Sequence, residues 1–399
     1  MSLNSTPSSE RLHIGFFGKR NAGKSSLINS VTNQEIAIVS DIKGTTTDPV
    51  YKAMEILPLG AVSLIDTAGY DDDGELGKLR IEKTKQVLNK VDIAILVVDS
   101  VNGLEKEDLD FITLFEDKNI KYIVAFNKCE LSEIKNHKDN EIYVSAKEKI
   151  NIEELKNLIA SLYVENKEKK CLVRDLILPS DSIILVTPID SSAPKGRLIL
   201  PQQQVIRELL EAGAITTIVQ PNKLRNAIDN CKNNLRLVIT DSQVFKKVDE
   251  IINGEIPLTS FSILFARYKG ILEYAVKGVK QLENIQDNDT ILISEGCTHH
   301  RQCEDIGTVK LPNWIKKYTG KNINFEFSSG NTFPSDLSKY KMIIHCGGCM
   351  LKDKEVLQRY QYAYEQNISI SNYGITIAYI NGILKRSIEV FPDIYNFLK

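Results

Sequence analysis

The sequence has no long hydrophobic run. None reaches the roughly 18–20 residues needed to span a bilayer; the longest candidate, Ile93 to Val98, is strand-sized and stops at Asp99. No membrane partner is expected. The N-terminal MSLNSTPSSER lacks the apolar stretch of a secretory signal, which makes the expected location cytoplasmic. Excess charge of one sign is also missing. A formal net charge of -2 asks for no nucleic acid and no anionic surface. Cysteine is sparse: seven in 399 residues exclude a disulfide scaffold. Four of the seven nevertheless lie between residues 297 and 349 (Cys297, Cys303, Cys346, Cys349), and in a cytosolic chain such clustering favours metal binding over cross-linking.

What is present is length enough for two or three domains. From Leu12 to about Val164, short Ile- and Val-rich runs (LHIGFFG, VSLIDTAG, DIAILVVDS, KYIVAFNK, EIYVSAK) alternate with helix-length segments such as Gly77 to Lys90 and Ile152 to Leu162. That alternation predicts an α/β fold with a mostly parallel sheet covered by helices on both faces. The charged ENKEKK, Glu165 to Lys170, breaks the pattern. Two smaller α/β blocks are expected after it, giving domains at 8–166, 172–269 and 270–399. No internal repeat is visible.

GKRNAGKS, Gly18 to Ser25, fits G-x-x-x-x-G-K-[ST] between an apolar strand and the helical SLINSV, the setting of a phosphate-binding loop. Gly18 and Gly23 let the backbone curl, so that the amides around Asn21, Ala22 and Ser26 face phosphate. Lys24 would reach the β- and γ-phosphates, and Ser25 would sit on Mg²⁺. DTAG follows the next strand: Asp66 would hold Mg²⁺ through water and the Gly69 amide would sense the γ-phosphate. GTTTD, Gly44 to Asp48, lies between them, with Thr46 as a second hydroxyl on Mg²⁺. Asn127, Lys128 and Glu130 of NKCE read the base. A carboxylate there accepts the N1–H and N2 hydrogens of guanine, donors that adenine does not pair. Ser145, Ala146 and Lys147 of SAK complete the site, with the Ala146 amide offered to O6. GTP and GDP are thus the expected ligands.

Residues 10 to 165 resemble translation-factor-like GTPases of the tRNA-modification and ribosome-assembly branch, with three departures. Glu130 stands where that class has Asp, which predicts a modest nucleotide affinity. Thr47 replaces an Arg, and Tyr70 follows DTAG where Ras-type enzymes carry a water-orienting Gln. Glu75 is one candidate for that role; a solvated acidic loop is the other reading. The resemblance implies that Asn21 helps to bind a K⁺ that stimulates hydrolysis.

The last block holds C-T-H, Cys297 to His299, and H-C-G-G-C, His345 to Cys349, each after an apolar strand (TILIS, KMIIH). Both loops can project from one end of a sheet, and Gly347 and Gly348 permit the turns that aim two sulfurs at one centre. Three Cys and one His also describe a zinc site, whereas a [4Fe–4S] cluster on three Cys leaves one iron with an exchangeable ligand. His299, His345, Glu304, Asp305 and Cys303 are candidates for that fourth position; His300 reads as a solvent-facing neighbour. A GTPase domain followed by C-x-H, residues 300–344 and H-C-x-x-C is similar to the [FeFe]-hydrogenase maturation GTPases over essentially the whole chain. The resemblance implies a homodimer with GTPase, dimerisation and cluster-binding domains. It also implies a scaffold that receives a transient di-iron subcluster from radical-SAM maturases and delivers it to apo-[FeFe]-hydrogenase. Cys297, Cys346 and Cys349 match the family's cluster cysteines, and His299 and His345 its histidines. The competing expectation is an RNA- or ribosome-associated GTPase with a zinc-stabilised C-terminal domain, against which stands the lack of a basic, aromatic-interleaved stripe. A redox enzyme ranks last, since no flavin or nicotinamide fingerprint is present.

Overall fold

The computed structural model describes residues 8–33, 49–57, 59–67, 69, 87–134, 138–164, 170–189, 198–231, 234–296, 306–330 and 333–398. Contacts group the chain into two units, 1–168 and 169–399.

In the first unit, β1 (Leu12–Phe17), β3 (Gly60–Asp66), β4 (Ile93–Asp99), β5 (Lys121–Asn127) and β6 (Glu141–Tyr143) are the expected apolar runs. With β2 (Val50–Ile56) they form a six-stranded sheet in the order β2-β3-β1-β4-β5-β6. All its pairs are parallel except the antiparallel β2–β3. β4 shows why its run is continuous. Ile93, Ile95 and Val97 join one hydrophobic cluster while Ala94, Leu96 and Val98 join the other, so side chains of period two are buried on both faces. Helices Lys24–Thr32 and Ile152–Val164 cover one face and Lys106–Asp117 the other. β2 is exposed along most of its length, and its weak apolar signal hid it from the sequence reading. Of the expected helix Gly77 to Lys90, residues 77–86 lie outside the described residues.

The second unit holds two parallel four-stranded sheets joined by one hydrophobic cluster. β7 (Ser182–Val186), β8 (Ile215–Val219), β9 (Leu235–Thr240) and β10 (Leu258–Ser260) are ordered β10-β9-β7-β8. β11 (Thr290–Glu295), β12 (Asn324–Ser329), β13 (Met342–His345) and β14 (Ser369–Asn372) are ordered β12-β11-β13-β14. Counted from its own first strand, each sheet reads 2-1-3-4.

The likeness extends to residues. Ser260 caps helix Phe261–Tyr268 by accepting from the Ile263 amide at 3.3 Å, and Asn372 caps helix Tyr373–Ile380 by accepting from the Ile375 amide at 2.8 Å. Both helices end at a left-handed glycine, Gly270 (φ 74°) and Gly382 (φ 73°). Both are closed by the same bond, Ile271 to the Ala266 carbonyl and Ile383 to the Ala378 carbonyl, each 2.9 Å. Ile263, Ala266, Gly270, Ile271 and Leu272 recur as Ile375, Ala378, Gly382, Ile383 and Leu384. The second unit thus carries one sheet topology and one strand–helix corner twice, a structural duplication that the sequence pattern alone did not show. Few positions in each copy need the same residue, and those that do lie mainly in the final strand–helix corner.

Candidate functional site

The phosphate-binding loop joins β1 to helix Lys24–Thr32. Gly18 (φ 147°) and Gly23 (φ 89°) have left-handed backbones, and a Cβ would come within 2.3 Å of the Val97 carbonyl at Gly18 and 2.2 Å of Asn127 Nδ2 at Gly23. Only glycine fits at either position. Asn21 is also left-handed (φ 60°). Lys24 is buried, its Nζ donating to the carbonyls of Gly18 (2.7 Å) and Lys19 (2.8 Å), so the ammonium is held over the inside of the loop. Ser26 lies half-buried in the helix's first turn.

Ser25 Oγ donates to Asp66 Oδ2 at 2.9 Å. A hydroxyl and a carboxylate this close are the pair that Mg²⁺ draws together in such loops. Burial pushes the Asp66 carboxyl above its usual range, against the opposing pull of the Ser25 hydrogen bond and the Lys24 charge. Gly69 is described, whereas Thr46 and Glu75 lie outside the described residues.

On the base side, buried Asn127 ties two loops together. Its Nδ2 donates to the Ala22 carbonyl at 2.9 Å, and its Oδ1 accepts from the Ala146 amide at 3.0 Å. The amide expected to face O6 is thus engaged by Asn127 in this arrangement. Lys128 is left-handed (φ 64°) and pairs with Asp99 at 2.6 Å. The Glu130 carboxyl is exposed and lies below its usual range, Ser145 of the SAK loop being the main cause. Lys147 is exposed and lies 3.3 Å from Glu148. Sequence reasoning missed Lys19, which pairs with Glu105 and, at 2.7 Å, with Glu107. It helps to line a cavity of about 300 Å³ with Arg20, Asn21, Asp99 and Asp108.

In the second unit, β11 and β13 run side by side with Ser294 opposite His345. The parallel order changes direction between these two strands, and in open α/β sheets ligands bind at the carboxyl ends of such a pair. Cys346 stands at that end. Its amide donates to the Ser294 carbonyl (2.8 Å), while its Sγ accepts from the amides of Gly296 (3.0 Å) and Gly348 (3.3 Å). Burial raises the Cys349 thiol, Cys346 adds to the rise, and Lys269 opposes it.

His345 is fully buried. Its Nδ1 lies 2.7 Å from the Cys346 carbonyl and its Nε2 3.2 Å from Arg359 Nη1. Arg359 has no acceptor, so the network assigns the proton to Nδ1. Both ring nitrogens are committed, and neither is presented to the thiols. Arg359 in turn donates to the Gly330 carbonyl (3.0 Å) and Glu355 (2.8 Å). Cys297, His299, His300, Cys303, Glu304 and Asp305 lie outside the described residues; among the described residues no group of three His, Cys, Asp or Glu side chains forms a metal site.

Comparisons with known proteins agree with this division. Residues 13–128 match the 50S ribosome-binding GTPase family, 172–270 the hydrogen maturase F dimerization domain, and 273–390 the hydrogen maturase F tetramerization domain. The tRNA modification GTPase MnmE of Desulforamulus reducens is 35% identical over 215 residues, which cover 51% of this chain and 42% of that protein. MnmE of Thermoanaerobacter sp. strain X514 is 35% identical over 185 residues, covering 44% and 38%. The chain thus spans less than half the length of these relatives. Among solved structures, a probable GTP-binding protein engB matches at 25% identity and a TM-score of 0.32, over 39% of this chain and 100% of that one. Era of Aquifex aeolicus matches at 18% and 0.35, over 60% and 97%. With the two hydrogen maturase F domains together filling more than half of the sequence behind a GTPase domain, the chain belongs to the hydrogen maturase F type of GTPase.

Proposed function

We propose that the chain is a GTP-hydrolysing scaffold that holds a [4Fe–4S] cluster and delivers a di-iron precursor during [FeFe]-hydrogenase maturation. Ser25, Asp66 and Thr46 would hold Mg²⁺, whose charge would offset the burial cost of the Asp66 carboxylate, and Lys24 would reach the β- and γ-phosphates. Glu130 reads guanine, aided by Asn127, Lys128 and the Ser145–Lys147 loop, and the Gly69 amide senses the γ-phosphate. Asn21 is a ligand for K⁺, which does the work of an arginine finger. Equal turnover in KCl and NaCl would remove that part of the reading.

The observation that carries the scaffold reading is Cys346, at the carboxyl end of β13 with its sulfur accepting two amide hydrogen bonds. A sulfur so supported fits a ligating thiolate, and one of its donors, Gly296, is followed in sequence by Cys297. Cys297, Cys346 and Cys349 would hold the cluster, with His299 or Asp305 as candidate fourth ligands. Bound there, the cluster supplies an iron with an exchangeable position for incoming cargo. The two C-terminal domains give self-association. Radical-SAM maturases are the donors of the cargo and apo-[FeFe]-hydrogenase its acceptor. No helix among the described residues is long and apolar enough to cross a membrane; the cytoplasm remains the proposed location.

The test is activation of apo-[FeFe]-hydrogenase by this chain after co-expression with the two maturases. Hydrogen evolution is expected with wild type and not with Cys346→Ala. Activation by the variant at the wild-type level would sink the reading.

A further inference from the structure

Lys269 is a lysine with 2% of its surface exposed. It follows helix Phe261–Tyr268 of the first copy, yet its Nζ crosses to the second, donating to the Leu351 carbonyl at 2.9 Å and to Asp353 Oδ1 at 3.2 Å. Leu351 lies two residues beyond Cys349, and its amide closes the cysteine loop on the Gly348 carbonyl at 2.9 Å. A buried ammonium is costly unless its surroundings use the charge. The duplication shows that the fold does not require it. At the equivalent point of the second copy, after the same helix and before the same glycine, stands Asn381, whose Nδ2 only turns back to the Ile377 carbonyl at 2.8 Å. The strand–helix corner folds equally with an uncharged residue, so the ammonium answers to something particular to the cysteine loop.

We infer that Lys269 is a positioning and charge-compensating residue for the metal centre on Cys346 and Cys349. This rests on the cluster reading above and deepens it. Thiolate-bound iron–sulfur clusters are anionic, and reduction adds further negative charge. A fixed cation in a low-dielectric setting therefore stabilises the reduced form more than the oxidised one and raises the potential. Asp353, shared by Lys269 and by the half-exposed Lys170 at 3.7 Å, tempers the effect with the opposite sign. Lys269 also anchors the end of the loop through Leu351, so its removal loosens the hold on metal. Supporting residues of this kind are typically worth 10- to 100-fold in affinity.

The test is the midpoint potential of the reconstituted full chain, read by EPR-monitored titration, with the rate of iron loss to a chelator measured alongside. Lys269→Met keeps the length and removes the charge, leaving Asp353 paired with Lys170. It is expected to lower the midpoint and to speed iron loss by about tenfold or more. Asp353→Asn is expected to raise the midpoint, and Lys269→Arg to restore most of the wild-type value. A structural lesion would not give shifts of opposite sign. An unshifted midpoint in Lys269→Met, or shifts of the same sign in both neutral variants, overturns the inference. Should Lys269→Met fail to fold, the sign of the Asp353→Asn shift decides. A wild-type chain that takes up no iron and sulfide overturns the cluster reading itself, a result distinct from these.

Discussion

In the proposed reading, nucleotide affinity depends on a carboxylate at Glu130 and on the absence of a side chain at Gly23. Glu130 is exposed, its carboxyl lowered chiefly by Ser145, and in the proposed reading it is the acceptor for both guanine donors. Glu130→Ala should cost about 2–3 kcal/mol, roughly a hundredfold in Kd for a fluorescent GDP analogue. Glu130→Asp should instead tighten binding, by bringing the chain to the side-chain length usual in its class. Weaker binding by the Asp variant would show that the local backbone has adjusted to the longer acid. At Gly23 an added methyl meets Asn127 Nδ2 in a left-handed backbone. Gly23→Ala should therefore cost about 1–2 kcal/mol in strain and break the Asn127 bridge between Ala22 and Ala146. Calorimetric titration with GDP should show binding lost by more than the roughly tenfold which that strain alone explains. A change confined to thermal stability would argue against the bridge.

At the scale of elements, the two capped corners carry most of what the copies share. Asn372→Ala and Ser260→Ala each remove a side-chain acceptor from a helix N-terminus, and each should cost about 1 kcal/mol in urea unfolding. The Asn372 variant should lose more, since its bond is shorter, 2.8 Å against 3.3 Å. Equal and negligible losses would mean that water replaces both caps. These elements also show what the sequence disclosed. Strands buried on both faces, such as β4, were legible because every residue of the run is apolar. β2 was not, because six of its seven residues face outward in part or whole and their composition carries no period. The phosphate loop was legible because its chemistry is local. Lys269, Arg359 and the Asn127 bridge were not, because each acts on a partner far along the chain: Leu351, His345 and Ala146. His345, a ligand candidate from its place beside Cys346, closes β13 with both ring nitrogens hydrogen-bonded, a commitment that no sequence pattern discloses. The duplication was hidden because its two copies keep a shared corner and differ in the loops at their strand ends.

For the whole molecule, one duplicated α/β unit follows a GTPase domain, and only one copy of the duplication carries cysteines at its carboxyl edge. DSQV, Asp241 to Val244, follows β9 in the first copy where CGGC, Cys346 to Cys349, follows β13 in the second. Their settings match: the Asp241 amide donates to the Val186 carbonyl at 3.2 Å, as the Cys346 amide does to Ser294. The same strand-end bond thus occurs twice, and a cysteine follows it once. The deciding measurement is the iron, sulfide and zinc content of the chain after anaerobic reconstitution, with EPR of the dithionite-reduced protein and of Cys346→Ala. About four irons and four sulfides per chain, with a reduced-cluster signal lost in the variant, is the predicted result. One tightly held zinc and no such signal would contradict it.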